Sequence, residues 1–258
     1  MAAPVAVCCQ GSHLLLRTFL GDCGHMANPT STSGILVPED FDHVSYDSIN
    51  TRIASSHNQP SVEWHQFVAA WKAVLFRYRE CTEHSETFIH AIRAEHTFEN
   101  KYVQDRELFG FFVSGLSAIE SFHYALFAVG TLLRGNGDFR IVNEKERRLI
   151  NPELTAEKYQ AIFPAENLTQ LMNELVHSSE YANWSSIRNF LIHRAAFSRT
   201  VFLNVNAGTQ YQPPQQEIRQ GLIIVFEENT TAARRKWLSD TLNLLIAETS
   251  RFVDVHFT

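Results

Sequence analysis

The stretch from residue 109 to residue 133 constrains the fold more than any other part of this chain. Its only formally charged side chain is Glu120. The stretch is too long for a strand, and it is apolar enough to need either a membrane or a protein core around it. It also carries three serines, His123 and Tyr124, which a lipid-facing helix tolerates poorly. We therefore predict a helix buried in the core of a helical protein.

Apolar residues follow helical spacing along most of the chain after residue 60. Ser61 is a predicted N-cap, and the helix that follows it is expected to end near Ala94. The glycines of RGNG end the apolar helix, which is predicted from about Val103 to Leu133. The later helices are predicted at 155–163, at 165–197 as one helix or as two broken near Ser178–Ser179, and from Thr231 to about Val255.

The pattern changes between the last two predicted helices. Residues 199–206 and 221–228 are rich in β-branched and aromatic side chains, which predicts a β-hairpin over about 199–228. The predicted fold is therefore mainly α: a bundle of four or more helices over residues 61–258, with this hairpin inserted before the last helix.

The first sixty residues show no sustained period and are rich in Gly, Ser, Thr, Asn and Pro. We predict an irregular N-terminal arm over residues 1–60. The tripeptides GSH and GHM within it resemble remnants of an expression vector, so residues 1–25 are expected to be foreign and Met26 to be the natural start.

The charge balance limits the partners of the protein. The formal net charge is −6, from 22 basic and 28 acidic residues, which argues against a broad nucleic-acid surface but allows a local patch. The four cysteines include no C-x-x-C pair, and the spacing of Cys8, Cys9 and Cys23 relative to nearby histidines fits no common zinc module. We predict no metal, no cofactor and no membrane partner, and we expect a cytoplasmic location.

A short segment, SSIRNFLIHRAAF at residues 185–197, sets polar side chains into an apolar helix. At about 100° per residue, Asn189 and His193 lie one above the other on one side of the helix. Arg188 lies at the edge of the opposite, apolar stripe, from which its long side chain can reach outward. The residues of that stripe are Trp184, Ile187, Phe190, Leu191 and Ala195.

The run from Arg188 to His193 resembles the R-[polar]-x-x-x-H signature of HEPN domains. Proteins of that family are compact helical bundles with the motif on a late helix, and the resemblance covers roughly residues 61–255. It implies a metal-independent endoribonuclease that cleaves single-stranded RNA, works as a homodimer and serves as a toxin or defence effector. It also implies an antitoxin or another regulatory partner.

The resemblance assigns a role to each residue of the motif. His193 is the expected general base or acid, because histidine is the residue type whose ordinary pKa lies near neutrality. Arg188 is expected to hold the scissile phosphate, and Asn189 to position His193 or the RNA. Some toxins of the family carry, two residues after the histidine, a tyrosine that a partner nucleotidyltransferase modifies. Here that position is Ala195, so this target is missing.

Weaker candidates lie outside the motif. Glu120 is either a structural residue, as half of an ion pair or as a cap on a backbone group, or a group that orients Arg188 or His193 from a facing helix. Further basic residues are candidates for contacts with RNA phosphate, although a solvated surface cluster is the simpler interpretation. These are Arg194, Arg234, Arg235 and Lys236.

Two alternatives to the ribonuclease remain open. The chain is either a non-catalytic dimeric HEPN scaffold or nucleotide-binding module, or an unrelated helical protein in which the motif arose by chance. The net charge favours a non-catalytic module, whereas the complete Arg, Asn and His favour the enzyme.

Overall fold

Eight helices account for 83% of the residues that the computed structural model describes. The described residues are 31, 34–56, 61–95, 97–134, 137–139, 144–193 and 227–257. The helices are α1 (His43–Ser56), α2 (Val62–Arg93), α3 (Phe98–Arg134), α4 (Glu144–Arg147), α5 (Pro152–Ile162), α6 (Asn167–Val176), α7 (Ser179–His193) and α8 (Asn229–His256). The predicted helical bundle is thus confirmed. Residues 199–226 of the predicted β-hairpin lie outside the described residues.

Side-chain caps explain where several helices begin. The Ser61 side chain accepts a hydrogen bond from the Trp64 amide, which confirms the predicted start of α2. Ser178 Oγ accepts from the Tyr181 amide at 3.2 Å, and the predicted break between α6 and α7 is confirmed there. The start of α3 comes five residues earlier than predicted, because Thr97 Oγ1 accepts from the Asn100 amide and caps an extra turn.

The prediction of an irregular arm over residues 1–60 is wrong for the part that forms α1. Asp42 Oδ1 accepts from the Ser45 amide at 3.1 Å and opens this helix. Tyr46, Ile49 and Ile53 follow at helical spacing and are buried. Polar neighbours obscure this short stripe in the sequence, and packing against α8 compensates for the weak amphipathic pattern.

The antiparallel pair of α2 and α3 forms the centre of the bundle. Arg77 Nη1 donates to the Ser117 carbonyl near the middle of both helices, and Gln104 Nε2 donates to the Ala91 carbonyl near the end where α2 leads into α3. In the described part of the chain, α3 is the one helix long and apolar enough to cross a membrane, and 72% of its most apolar window is buried inside the fold. This burial agrees with the prediction of a core helix.

Trp184 anchors α7 on this central pair. Its indole ring lies 5.0 Å from the Phe111 ring and 5.1 Å from the Phe112 ring, measured between centroids. It also stacks on Trp237 of α8 at 6.2 Å. A Cβ atom added to Gly115 would lie only 2.4 Å from the indole, so glycine makes the close approach of α7 to α3 feasible.

Candidate functional site

The orientation of α7 separates its apolar and polar faces as predicted. Trp184, Ile187 and Leu191 are buried against the bundle, whereas Asn189 and His193 are exposed. Phe190 packs against the core while only partly buried. The helix therefore presents its amide and imidazole groups to solvent because its apolar stripe is committed to the core.

Arg188 forms an ion pair with Glu120 of α3 through its Nη2 and the carboxylate Oε1. The side chains are 21% and 36% exposed, respectively. Arg188 Nε is buried and has no hydrogen-bond partner among the described residues. The ion pair agrees with a structural pair and equally with orientation of Arg188 by Glu120, and it does not involve His193.

Three further side chains surround this ion pair. They are Arg77 of α2, Glu153 of α5 and Tyr181 of α7. The charges of Arg77 and Glu153 affect the pKa of Glu120, and the charges of Glu153, Glu120 and Arg188 affect the pKa of Tyr181. Burial raises the pKa of Glu120 and the charge of Glu153 adds to this effect, while Arg188 and Arg77 oppose it.

Burial also raises the pKa of the Tyr181 hydroxyl, and the charges of Glu153 and Glu120 raise it further. Tyr181 is therefore a neutral phenol between charged groups at neutral pH. We call this group of five side chains the Arg188 cluster. Its members are Arg77, Glu120, Glu153, Tyr181 and Arg188.

His193 lies apart from this cluster. It is the last residue of α7 and is exposed, and no described residue makes a hydrogen bond or ion pair with it. Five positions along a helix rotate a side chain by roughly 140°, so Arg188 and His193 project from different sides of α7. The described part of one chain therefore does not bring the two key residues of the motif into one cleft.

The predicted RNA-contacting residues of α8 are largely engaged within the fold. Arg235 pairs with Asp40 at 3.2 Å, and Lys236 pairs with Asp240 at 2.7 Å. Arg234 Nη1 donates to the Thr230 carbonyl at 2.9 Å, and its guanidinium lies over the Phe112 ring. Arg194 lies outside the described residues.

A second polar cluster lies between α2 and α3. The buried carboxylate of Glu107 contacts His84 Nδ1 at 2.6 Å and accepts from Arg106 Nε at 2.7 Å. The His84 ring packs directly over Gly110. In the ranges that the structure describes, no group of three or more His, Cys, Asp or Glu side chains is placed to hold a metal ion.

Sequence reasoning missed three members of the Arg188 cluster. Tyr181 lies seven positions before Arg188, which puts both on one side of α7, and this spacing could have identified it. Arg77 and Glu153 belong to other helices, and no local pattern links them to the motif.

A search of protein-family models, of curated proteins and of solved structures finds no match to this chain.

Proposed function

We propose that the chain is a HEPN-type endoribonuclease that cleaves single-stranded RNA without a metal ion, as a toxin or defence effector. The observation that carries this proposal is the different placement of the three motif residues on α7. Arg188 is anchored at the edge of the core by Glu120, while Asn189 and His193 face solvent, where a substrate can reach them.

His193 would act on the ribose of the substrate. Its neutral imidazole takes the proton of the 2′-hydroxyl, and the 2′-oxygen attacks the adjacent phosphorus atom. The bond from phosphorus to the 5′-oxygen breaks, that oxygen takes up a proton from solvent, and the His193 imidazolium returns its proton to solvent. The products are a 2′,3′-cyclic phosphate and a free 5′-hydroxyl, so no water and no oxidant are consumed.

Arg188 and Asn189 would support this step. A guanidinium fork matches two phosphate oxygens and stabilises the negative charge that grows on them in the transition state. The Asn189 amide, one helical turn before His193 on the same face, can donate to the RNA or to the imidazole.

A second copy of the chain would complete the site. Because Arg188 and His193 project from different sides of one helix, an isologous pair of α7 helices can place His193 of one protomer beside Arg188 of the other. Ile192, which is 43% exposed next to His193, supplies apolar surface for such a contact.

The test is cleavage of an unstructured RNA by purified variants. We expect His193→Ala and Arg188→Ala each to lower the cleavage rate roughly a hundredfold or more, the usual size of an acid–base or a charge-stabilisation effect. His90→Ala is the matched control, because His90 is an exposed histidine of α2 remote in sequence from the motif. Wild-type cleavage by both motif variants would contradict the proposal and identify a contaminating nuclease.

A dimeric, non-catalytic HEPN scaffold or nucleotide-binding module is the second candidate. The ion pair between Arg188 and Glu120 favours it, since a carboxylate already engages the arginine assigned to phosphate. The net charge of −6 favours it as well. Nucleotide binding without any cleavage by the wild type would select this candidate.

A further inference from the structure

Glu120 and an incoming phosphate compete for the same donors. A guanidinium has five N–H donors in one planar fork. In this structure the Nη2 of Arg188 already donates to Glu120 Oε1, and its Nε is buried where no solvent-borne ligand reaches it. Glu120 therefore occupies one donor of the fork and the buried Nε closes one edge of it, so a phosphate that binds the remaining N–H groups lies beside the Glu120 carboxylate.

The charges around Arg188 also cancel. The groups that face Glu120 are Arg77 from α2, Glu153 from α5, and Tyr181 and Arg188 from α7. Two arginines are thus matched by two carboxylates, and Tyr181 is neutral. Arg77 is further committed to the Ser117 carbonyl at 3.1 Å. A phosphate entering this cluster meets two nearby negative charges and no net positive charge.

We propose that Glu120 is a built-in competitor that pairs with Arg188 in the free protein, so that a nucleic-acid phosphate binds Arg188 tightly only when it displaces the Glu120 carboxylate. The inference rests on the proposed function only in assigning phosphate binding to Arg188. It adds a self-inhibiting contact between α3 and the motif helix α7.

Displacement of Glu120 is physically accessible. Its side chain is 36% exposed, so the carboxylate can rotate into water without rearrangement of the core. Burial already makes its charged form unfavourable in the cluster, and Glu153 adds repulsion. The Glu120 carboxylate can therefore leave Arg188 when a phosphate binds.

The test measures binding of a fluorescein-labelled, single-stranded oligodeoxynucleotide by anisotropy at low salt. This probe carries phosphates but lacks the 2′-hydroxyl, so it cannot be cleaved by the proposed reaction. We expect Glu120→Gln to bind it about tenfold more tightly than the wild type, the effect of removing one negative charge a few ångströms from the phosphate near a protein surface. Adding Arg188→Ala to Glu120→Gln should abolish the gain.

Glu228→Gln is the matched control. Glu228 pairs with Arg93 at 2.5 Å on the surface, so this variant also frees an arginine and removes one negative charge. It should leave probe binding within about twofold of the wild type, because the probe is attracted by a local site rather than by net charge. An equal gain in Glu228→Gln would overturn the inference.

Folding and catalysis are read separately. Thermal melts test whether Glu120→Gln is folded. If this variant does not fold, Glu120→Ala is measured in its place. Binding that is unchanged or weaker in the folded variant sinks the competitor role and makes Glu120 a positioning residue. If Glu120→Gln binds the probe more tightly but no variant cleaves RNA, the competitor role of Glu120 is supported and the ribonuclease function is contradicted. If the wild type cleaves RNA but Glu120→Gln does not bind the probe more tightly, the ribonuclease function is supported and the competitor role is contradicted.

Discussion

His123 lies in the core with no exposed surface, although it is a histidine. Its Nδ1 contacts the Ile119 carbonyl at 2.9 Å, which makes Nδ1 the protonated nitrogen, and no described residue offers a donor to its Nε2. Burial lowers the pKa of the imidazole to about 4. His123 is thus a neutral core residue, as its place among apolar neighbours indicates.

This burial predicts a specific loss of stability in acid. Because the folded state binds the proton less readily than the unfolded chain, the contribution of His123 is complete above about pH 6.5 and disappears as pH falls towards 4. The change is on the order of 3 kcal/mol in the free energy of unfolding. Urea titrations at several pH values should show a steeper decline for the wild type than for His123→Leu. Parallel pH curves for the two proteins would contradict the assignment.

Gly115 determines how α7 packs on α3. A Cβ atom at this position would meet two carbons of the Trp184 ring at 2.4 and 2.6 Å, and Cys81 Sγ at 3.1 Å. The indole is fully buried between Phe111 and Phe112 and cannot move aside. The position of the motif on α7 therefore depends on a missing methyl group in α3.

We expect Gly115→Ala to destabilise the protein by about 1–3 kcal/mol through overpacking, despite the better helix propensity of alanine. It should also disturb any activity that depends on α7. Gly137→Ala is the control, because a Cβ atom there would meet only the Arg134 carbonyl at 3.7 Å, which is ordinary van der Waals contact. Chemical denaturation of both variants gives the comparison, and equal losses would show that α7 does not depend on Gly115.

The long helices could be predicted from sequence because their apolar residues repeat at helical spacing, and some boundaries also carry a local cap. Ser61 opens α2 and the serine pair at 178–179 separates α6 from α7, and both signals are local. α1 was missed because only three buried residues define its face. Because Glu120 is the one formally charged residue between 109 and 133, a partner could be expected for it, and Arg188 was one of the candidates. Its neighbours Arg77 and Glu153 could not be predicted, because only the packing of α2 and α5 brings them there.

The proposed reaction requires two chains. The exposed face of α7 carries Asn189, Ile192 and His193, and Arg188 projects to a different side of the same helix. We expect a homodimer through this face in sedimentation velocity at micromolar concentration. Ile192→Asp should shift the protein towards monomer and lower cleavage in parallel. A wild type that sediments only as a monomer would argue strongly against a shared site.

The proposed chemistry also predicts how the whole protein responds to chelation. Proton transfer by His193 and charge stabilisation by Arg188 need no bound ion, so cleavage of RNA should persist in excess EDTA. The measurement compares initial rates with EDTA and with added magnesium. A loss in EDTA that magnesium restores would refute this mechanism while leaving the fold untouched.

The stacked indoles of Trp184 and Trp237 give the protein an intrinsic spectroscopic signal of its tertiary packing. Their rings are 6.2 Å apart and inclined at 29°, close enough for their excited states to couple. Coupled chromophores of this kind produce a paired positive and negative band in far-ultraviolet circular dichroism. Trp184 belongs to α7 and Trp237 to α8, so the amplitude of this pair of bands reports how α7 packs against α8. No added label is needed. The amplitude can be followed while oligonucleotide, acid or a second protomer acts on the protein.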